Sequence, residues 1–484
     1  MFKPLTNIPV PVLVLILSFL CPTEFSLMVD SFRLSPHRVV LLLLAPAALF
    51  RLLSRADTHP KSFDLVMLLF SLSSIAVFME HMGADGGIKF GGSLALESFG
   101  AYIMVRAHIR NADDFRATVK VLLLAVIAAG LIALPETFLG KLFVHDTLRA
   151  WTGYVHPTML EQRLGLTRAY GTFDHPIHFA TFTASVLAMV WFSETRPMAR
   201  RMKAALIGFI TLLGVSSAPI LCLVLQGGFI FWERITRTMA RRVSVLVIAA
   251  ITLYALAAAV MTRSPFAFVA TGLTLDSWTG YYRLQIWQHG LNNVWANPWL
   301  GIGLADWVRP WWMVADTVDA FWLVLMMRQG IPSAFLLVLA MALLIRQAYV
   351  NGIRQQQSQL RPLAMGWLIS LLALIMVAFT VHYWNVLFAY FCFIIGLGGV
   401  FADPLASSIA AVTQRPGAGA QDHCGIWAPA SPWASASPCE LAQTTRRGEP
   451  LWAASDIWGS SASASDSAPP PSGTITERQW RRRR

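Results

Sequence analysis

Apolar runs separated by short basic or turn-forming clusters fill most of this chain. They lie near 5–21, 36–53, 63–80, 91–106, 118–134, 176–194, 204–214, 216–233, 243–262, 317–345, 363–381 and 384–401. Each approaches the ~20 residues a helix needs to cross a bilayer. The pattern predicts an all-α polytopic membrane protein of about twelve transmembrane helices. The stretch 204–233 is ambiguous, because its apolar run is interrupted only at Ser216-Ser217-Ala218-Pro219. It forms either two short helices or one long kinked helix, and that choice sets the side of every later loop.

Loop charge favours two helices. One side then receives Arg51, Arg55 and Lys61, the Arg106–Lys120 cluster, the Arg196–Lys203 cluster, Arg234–Arg242 and Arg346–Arg361. Basic loops stay in the cytoplasm, so both termini are expected there. Two long loops, 135–175 and 263–316, face outward. The run that ends at Leu20 is expected to be a retained first span, since no small-x-small cleavage site follows and Ser-Phe-Leu precedes Cys21. The membrane domain is expected to cover 1–402. From 403 to 484 Ser, Ala, Pro and Gly dominate and the chain closes on Arg-Gln-Trp-Arg-Arg-Arg-Arg, as expected of a disordered cytoplasmic tail.

Composition agrees with this picture. Hydrophobic residues make up 56% of the chain and charged residues 13%, with a mean hydropathy of +0.55, whereas soluble domains carry about 25% charged residues. The net charge of +12 is explained by loops and tail, so no nucleic-acid partner is expected. The five cysteines have no zinc spacing and require no disulfide. No phosphate-binding Gly loop, dinucleotide fingerprint or serine-hydrolase elbow is present.

The unusual chemistry lies between Ser277 and Pro332. Eight of the eighteen tryptophans fall there (Trp278, Trp287, Trp295, Trp299, Trp307, Trp311, Trp312 and Trp322), with Arg283, Arg309 and Arg328 among them. Aromatic rings and guanidinium groups at a membrane surface suit a ligand that is part sugar and part phosphate. Tyr282, Ile286, Trp287 and Leu291 fall near helical spacing, which predicts a surface helix ended by Asn297-Pro298. Singly these features have plainer accounts. Asn-Pro before Gly301-Ile-Gly303 is a turn signal, and interfacial tryptophans commonly anchor membrane proteins.

Taken in order, the motifs resemble the O-antigen ligase and polymerase superfamily of membrane enzymes, closest in look to exopolysaccharide polymerases of the ExoQ type. The carriers are Arg283-x-x-x-Trp287, Pro298-x-x-Gly301-x-Gly303, the helix opening at Val318-Asp-Ala-Phe-Trp-Leu323, and Arg168-Ala-Tyr-Gly-Thr-Phe-Asp-His-Pro176. The likeness covers roughly 60–400. It implies a GT-C-like fold in a bacterial inner membrane, short helices in the long loop, and a periplasmic active face. It also implies transfer of a glycan from undecaprenyl diphosphate to an acceptor hydroxyl, with no cofactor and no metal. Partners implied are the lipid-linked oligosaccharide, a glycan acceptor, the bilayer, and polysaccharide export or chain-length proteins. Polymerisation, ligation to another acceptor, and a transporter or flippase of another class all remain open.

Such a reaction needs fixed positive charge at the leaving diphosphate. Arginine suits it, because its fork binds phosphate oxygens and stays charged; Arg168, Arg263, Arg283 and Arg328 are the candidates. Arg328 lies inside a span, where it either serves the site or pairs with Asp319 or Glu97. The acceptor needs a base. Many members place a His-Asn pair at the start of the helix after the long loop, and here Asp319 and Ala320 stand there. Asp319 is the expected base provided that desolvation raises its pKa; His175, His289 or no base at all are the alternatives. Trp287, Trp311, Trp312 and Trp322 are the expected sugar contacts. Among acids near the spans, Asp64, Glu80 and Glu97, the last is the best placed to orient an arginine.

Overall fold

The computed structural model describes residues 8–29, 32–54, 60–153, 160–239, 242–260, 277–354 and 360–402. The chain divides into two units, Met1–Arg415 and Pro416–Arg484, and the second, with the expected tail, lies outside the described residues. In the first, helices dominate. They are α1 Val10–Phe19, α2 Pro36–Ser54, α3 Ser62–Gly86, α4 (87–108), α5 Ala112–Leu139, α6 Phe143–Thr152 and α7 Pro176–Ser193. After them come α8 Pro197–Leu212, α9 Ser217–Ile235, α10 Arg242–Val260, α11 Ser277–Ala296, α12 Phe321–Ile353, α13 Leu360–Val377 and α14 Asn385–Ala402. Two short antiparallel hairpins complete the described residues: β1 Leu27–Val29 with β2 Phe32–Leu34, and β3 Gln162–Arg163 with β4 Leu166–Thr167.

Eight helical segments among the described residues are long and apolar enough to cross a membrane. One of them, Ser62–His108, folds back on itself. Gly83 takes φ +73°, a left-handed conformation natural only to glycine, and the legs close on each other beyond it. A Cβ on Gly87 would lie 2.8 Å from the Cα of Met79, and one on Gly91 2.6 Å from the Cα of Ile75. Contact falling as the two numbers diverge is the signature of antiparallel legs. The separate runs 63–80 and 91–106 are therefore joined by helix rather than by a loop.

The run 204–233 is two helices. Val215 takes φ +39° and Ser216 is extended, and Ala169 N–H caps the Leu213 carbonyl at 3.1 Å. Pro135 does not end α5, which continues to a left-handed cap at Gly140, so the first long loop begins later than 135.

Burial sorts the helices into centre and rim. The α14 window is 94% buried and that of α2 is 22% buried. Leu42, Leu43, Phe50 and Leu53 on α2 are exposed, an outward apolar face that fits lipid rather than water. The buried face of α14 presses on α4: a Cβ on Gly396 would sit 2.4 Å from the Tyr102 carbonyl. Arg106, expected in a basic loop, is buried in α4 instead and pairs with Asp64 at 3.2 Å, with the Tyr102 hydroxyl donating to the same carboxylate.

Candidate functional site

The first long loop is tied down residue by residue. Leu164 and Gly165 both take positive φ, which closes the β3–β4 hairpin in a tight turn. Arg168 follows β4. Its backbone N–H reaches the Glu161 carbonyl at 3.0 Å and its guanidinium pairs with the Glu161 carboxylate. Next, the buried Glu136 carboxylate at the end of α5 accepts the N–H groups of Tyr170 (3.0 Å) and Gly171 (2.8 Å). Asp174 accepts from Asn385 at the start of α14, at 2.8 Å. The chain then enters α7 at His175, whose Nδ1 accepts the Ile177 N–H at 3.1 Å. A ring nitrogen that accepts a cap hydrogen bond carries no proton. His175 therefore holds its proton on Nε2 and can only donate towards its surroundings.

The second loop is built on a broken helix. Gly330 takes φ +78° inside α12, and Pro332 follows without an N–H, so carbonyls of the first turns lose their helical donors. The Pro298–Gly303 turn supplies replacements. Ile302 N–H bonds the Met327 carbonyl at 2.7 Å, Gly303 N–H the Arg328 carbonyl at 3.1 Å, and Ile331 N–H the Pro298 carbonyl at 2.8 Å. The fit requires glycine on both sides: a Cβ on Gly301 would stand 2.4 Å from the Met327 oxygen, and one on Gly330 2.1 Å from the Trp299 oxygen. Before this clasp, α11 ends at Ala296 as Asn297-Pro298 predicts, burying Ile286 and Val294 against Leu323 and Met327.

These segments enclose a cavity of about 650 Å³. His175, Asp306, Asp316, Asp319, Arg328 and His382 are the ionisable groups on its wall, with Trp307 and Trp384. Asp319 lies just before α12 begins at Phe321. Burial raises its carboxyl pKa above the ordinary range, while Arg283, Arg168 and Arg163 act against that rise. Burial likewise lowers the pKa of Arg283, and the Asp319 carboxylate offsets part of this. His175 is pushed down to about 4 by burial and then by Arg168. His382 is pushed down to about 3 by burial and then by Arg328. Both rings are thus neutral near pH 7.

Arg168 is 2% and Arg283 8% exposed. Arg168 Nη2 and Arg283 Nε are fully buried and have no hydrogen-bond partner among the described residues. Buried donors are nearly always satisfied, and both of these arginines are electrostatically coupled to the Asp319 carboxylate.

Of the predicted residues, Arg168, Arg283 and Asp319 gather in one electrostatic cluster, although neither arginine lies on the cavity wall. Arg263 lies outside the described residues. Arg328 does line the cavity and donates from Nη1 to the Gly303 carbonyl at 2.9 Å; it has no ion pair with Asp319 or Glu97 among the described residues. Glu97 instead pairs with Arg38 at 2.7 Å and His37 at 3.0 Å. The four predicted tryptophans lie elsewhere. Trp322 is 7% exposed and donates to the Ile375 carbonyl. Trp287 donates to the Phe379 carbonyl, Trp311 is 93% exposed, and Trp312 stands edge-on to His289 at 6.3 Å. His289 is not on the cavity wall.

His382 and Trp384 were missed in sequence. They lie in the short link between two apolar runs, and three histidine rings surround Trp384: His178 at 3.7 Å, His382 at 5.4 Å and His175 at 5.9 Å. A link of Val381-His-Tyr-Trp-Asn385 carries more polar and aromatic character than a plain turn, and that was the available signal. Among the described residues no three His, Cys, Asp or Glu side chains could together hold a metal ion. No family model matches this chain, and no curated protein matches it.

Proposed function

We propose that this chain is a membrane glycosyltransferase of the O-antigen ligase and polymerase kind. It takes a glycan from a polyprenyl diphosphate and polymerises an exopolysaccharide on the outer side of a bacterial inner membrane. In this reading the chain crosses about twelve times, both termini are cytoplasmic and the Asp319 cavity opens outward. The observation that carries it is a pair of buried guanidiniums, Arg168 and Arg283, electrostatically coupled to the half-buried Asp319 carboxylate on the wall of a cavity that Arg328 also lines.

The chemistry follows from those parts. An acceptor hydroxyl oxygen attacks the anomeric carbon and the new C–O bond forms as the bond to the diphosphate oxygen breaks. The diphosphate leaves with the electron pair; Arg328 on the cavity wall stabilises the charge that builds on it, and the buried Arg168 and Arg283 add to the positive field. The hydroxyl proton passes to Asp319, whose raised pKa makes it a stronger base than an ordinary aspartate. His175 donates from Nε2 and orients a sugar or phosphate oxygen. Trp307 and Trp384, on the cavity wall, take the place of the four expected tryptophans as surfaces for sugar rings. A single displacement inverts the anomeric configuration.

The test is polymer production in cells in which Arg283→Ala replaces the native chain. Inserted protein without polymer supports the reading; polymer of normal amount and length removes the diphosphate role.

A further inference from the structure

At the far end of the helices from the Asp319 cavity lies another, of about 630 Å³. The helices themselves set that distance. α7 leaves the Asp319 cavity at His175, and Trp191 and Phe192 from its last turn line this one. α13 runs the other way, with Arg361 and Met365 on the wall here and His382, beyond its end, on the wall there. Each helix has 18 residues, roughly 27 Å at the α-helical rise. The two cavities share no lining residue, so this one is no part of the transfer site.

Four arginines line it: Arg200 from α8, Arg234 and Arg237 around the end of α9, and Arg361. Two carboxylates, Glu194 and Glu233, share the wall. Glu194 is engaged elsewhere, one oxygen with Lys203 Nζ and the other accepting the Arg196 N–H at 3.1 Å. Glu233 has a partner too, and even counted in full against one arginine it leaves three of the four. Among the described residues no ion pair involves any of these arginines. The neighbouring links bring no carboxylate either: 236–241 reads Thr-Arg-Thr-Met-Ala-Arg and 354–359 reads Arg-Gln-Gln-Gln-Ser-Gln. The Arg200 guanidinium stands over the Trp191 ring at 4.7 Å. A ring carries no net charge, so this contact holds the cation without neutralising it.

Basic residues at the cytoplasmic ends of spans are ordinary. Four of them around one cavity with an apolar wall of Trp191, Phe192, Ile230 and Met365 are a more specific feature. α9 supplies three of the lining residues and is a rim helix, its window 22% buried, with Val224, Phe231 and Ile235 exposed as a lipid-facing surface. An anionic head joined to an acyl chain meets both surfaces at once. Guanidinium groups bind phosphate oxygens in pairs. Charge then selects among lipids, because a zwitterionic headgroup brings an ammonium that the arginines repel.

We infer that this cavity binds the phosphodiester headgroup of an anionic lipid from the adjoining leaflet, held by Arg200, Arg234, Arg237 and Arg361, with an acyl chain leaving along α9. In the topology proposed above that leaflet is the cytoplasmic one. The site does not depend on the reaction assigned to the other end. A lipid seated there ties the ends of α7, α8, α9 and α13 together and stabilises the folded chain by binding only that state.

The experiment titrates the purified full-length chain in detergent with dioleoylphosphatidylglycerol, dioleoylphosphatidylethanolamine or inorganic phosphate. Native mass spectrometry counts bound lipid, and thermal unfolding reports stability. Phosphatidylglycerol should bind at least tenfold more tightly than phosphatidylethanolamine and raise the unfolding temperature. Arg234→Ala with Arg237→Ala should weaken that binding at least tenfold. Both side chains are exposed, and an unchanged unfolding temperature without lipid verifies the fold; Arg361→Gln alone should weaken binding in the same direction. Arg196→Ala with Arg201→Ala removes equal charge from exposed positions at the same end but off the cavity wall, and should leave the affinity within twofold. Equal weakening by the two double variants would mean diffuse attraction to a basic surface and overturn the inference. So would equal binding of the two lipids, or binding of inorganic phosphate as tight as that of phosphatidylglycerol, which would make the ligand a soluble phosphate.

Discussion

Arg328 and Gly303 hold each other twice: the Arg328 guanidinium donates to the Gly303 carbonyl at 2.9 Å, and the Gly303 N–H donates to the Arg328 carbonyl at 3.1 Å. The first bond holds a cation on the wall of the Asp319 cavity. The second fills the acceptor that Pro332, which has no N–H, leaves open. Helix distortion and charge placement are therefore one device, and it can be tested at the glycines. Gly330→Ala puts a methyl group 2.1 Å from the Trp299 carbonyl at a left-handed φ, a conformation that alone costs about 1–3 kcal/mol. The variant should unfold at lower temperature in detergent and lose transfer activity; wild-type behaviour in both would remove the clasp from the account.

Arg283→Ala should lower the transfer rate by roughly 10²–10³, as loss of one preorganised donor to a developing anion does. Arg283→Lys should not restore it, because an ammonium lacks the bidentate fork. Single-turnover rates on a lipid-diphosphate substrate measure both, and full rescue by lysine would reduce the role of Arg283 to bulk charge.

Asp319 acts as a base only when ionised. Its pKa is raised above the ordinary aspartate value, so activity should fall as pH drops through that raised value, at a higher pH than for a free aspartate near ~3.9. Asp319→Asn should cost about 10²–10⁴ in rate, and Asp319→His should keep part of the activity with its acid limb moved towards the imidazole range. A wild-type rate in the Asn variant would transfer the role of base elsewhere. His289→Ala, off the cavity wall, should leave the rate unchanged.

Glu136 has a structural part that a rate assay alone would miss. Glu136→Ala strands the Tyr170 and Gly171 N–H groups, each worth about 1–3 kcal/mol when buried without a partner. Thermal stability should drop, and Glu136→Gln, which keeps one acceptor oxygen, should recover much of it. Equal stability of the two variants would show that the carboxylate does not pin the loop.

Much of the helical frame was legible because apolar runs announce themselves and Pro, Ser and Gly interrupt them at helix ends. The break at Ser216–Pro219 and the end of α11 at Asn297-Pro298 follow that logic. Arg168, Arg283 and Asp319, singled out by the order of the motifs, come within electrostatic reach of one another, whereas Arg263 lies outside the described residues. Other features depend on three-dimensional neighbours that no local pattern carries. Trp322 turns inward because the start of α12 is held by Phe321 stacked on Tyr383 and by Trp322 against Phe379, not by the loop it follows. Arg38 looks in sequence like an ordinary basic residue before a span; its pairing with Glu97, from a distant helix, has no local signal. His382 and Trp384 lie in a link too short for any periodicity.

The most direct measurement is incubation of the purified full-length protein with polyprenyl-diphosphate-linked oligosaccharide, with neither nucleotide sugar nor divalent cation added. The account predicts longer glycans of inverted anomeric configuration and release of free polyprenyl diphosphate, both abolished by Arg283→Ala. No chain growth, or equal growth with the Arg283→Ala protein, would contradict it.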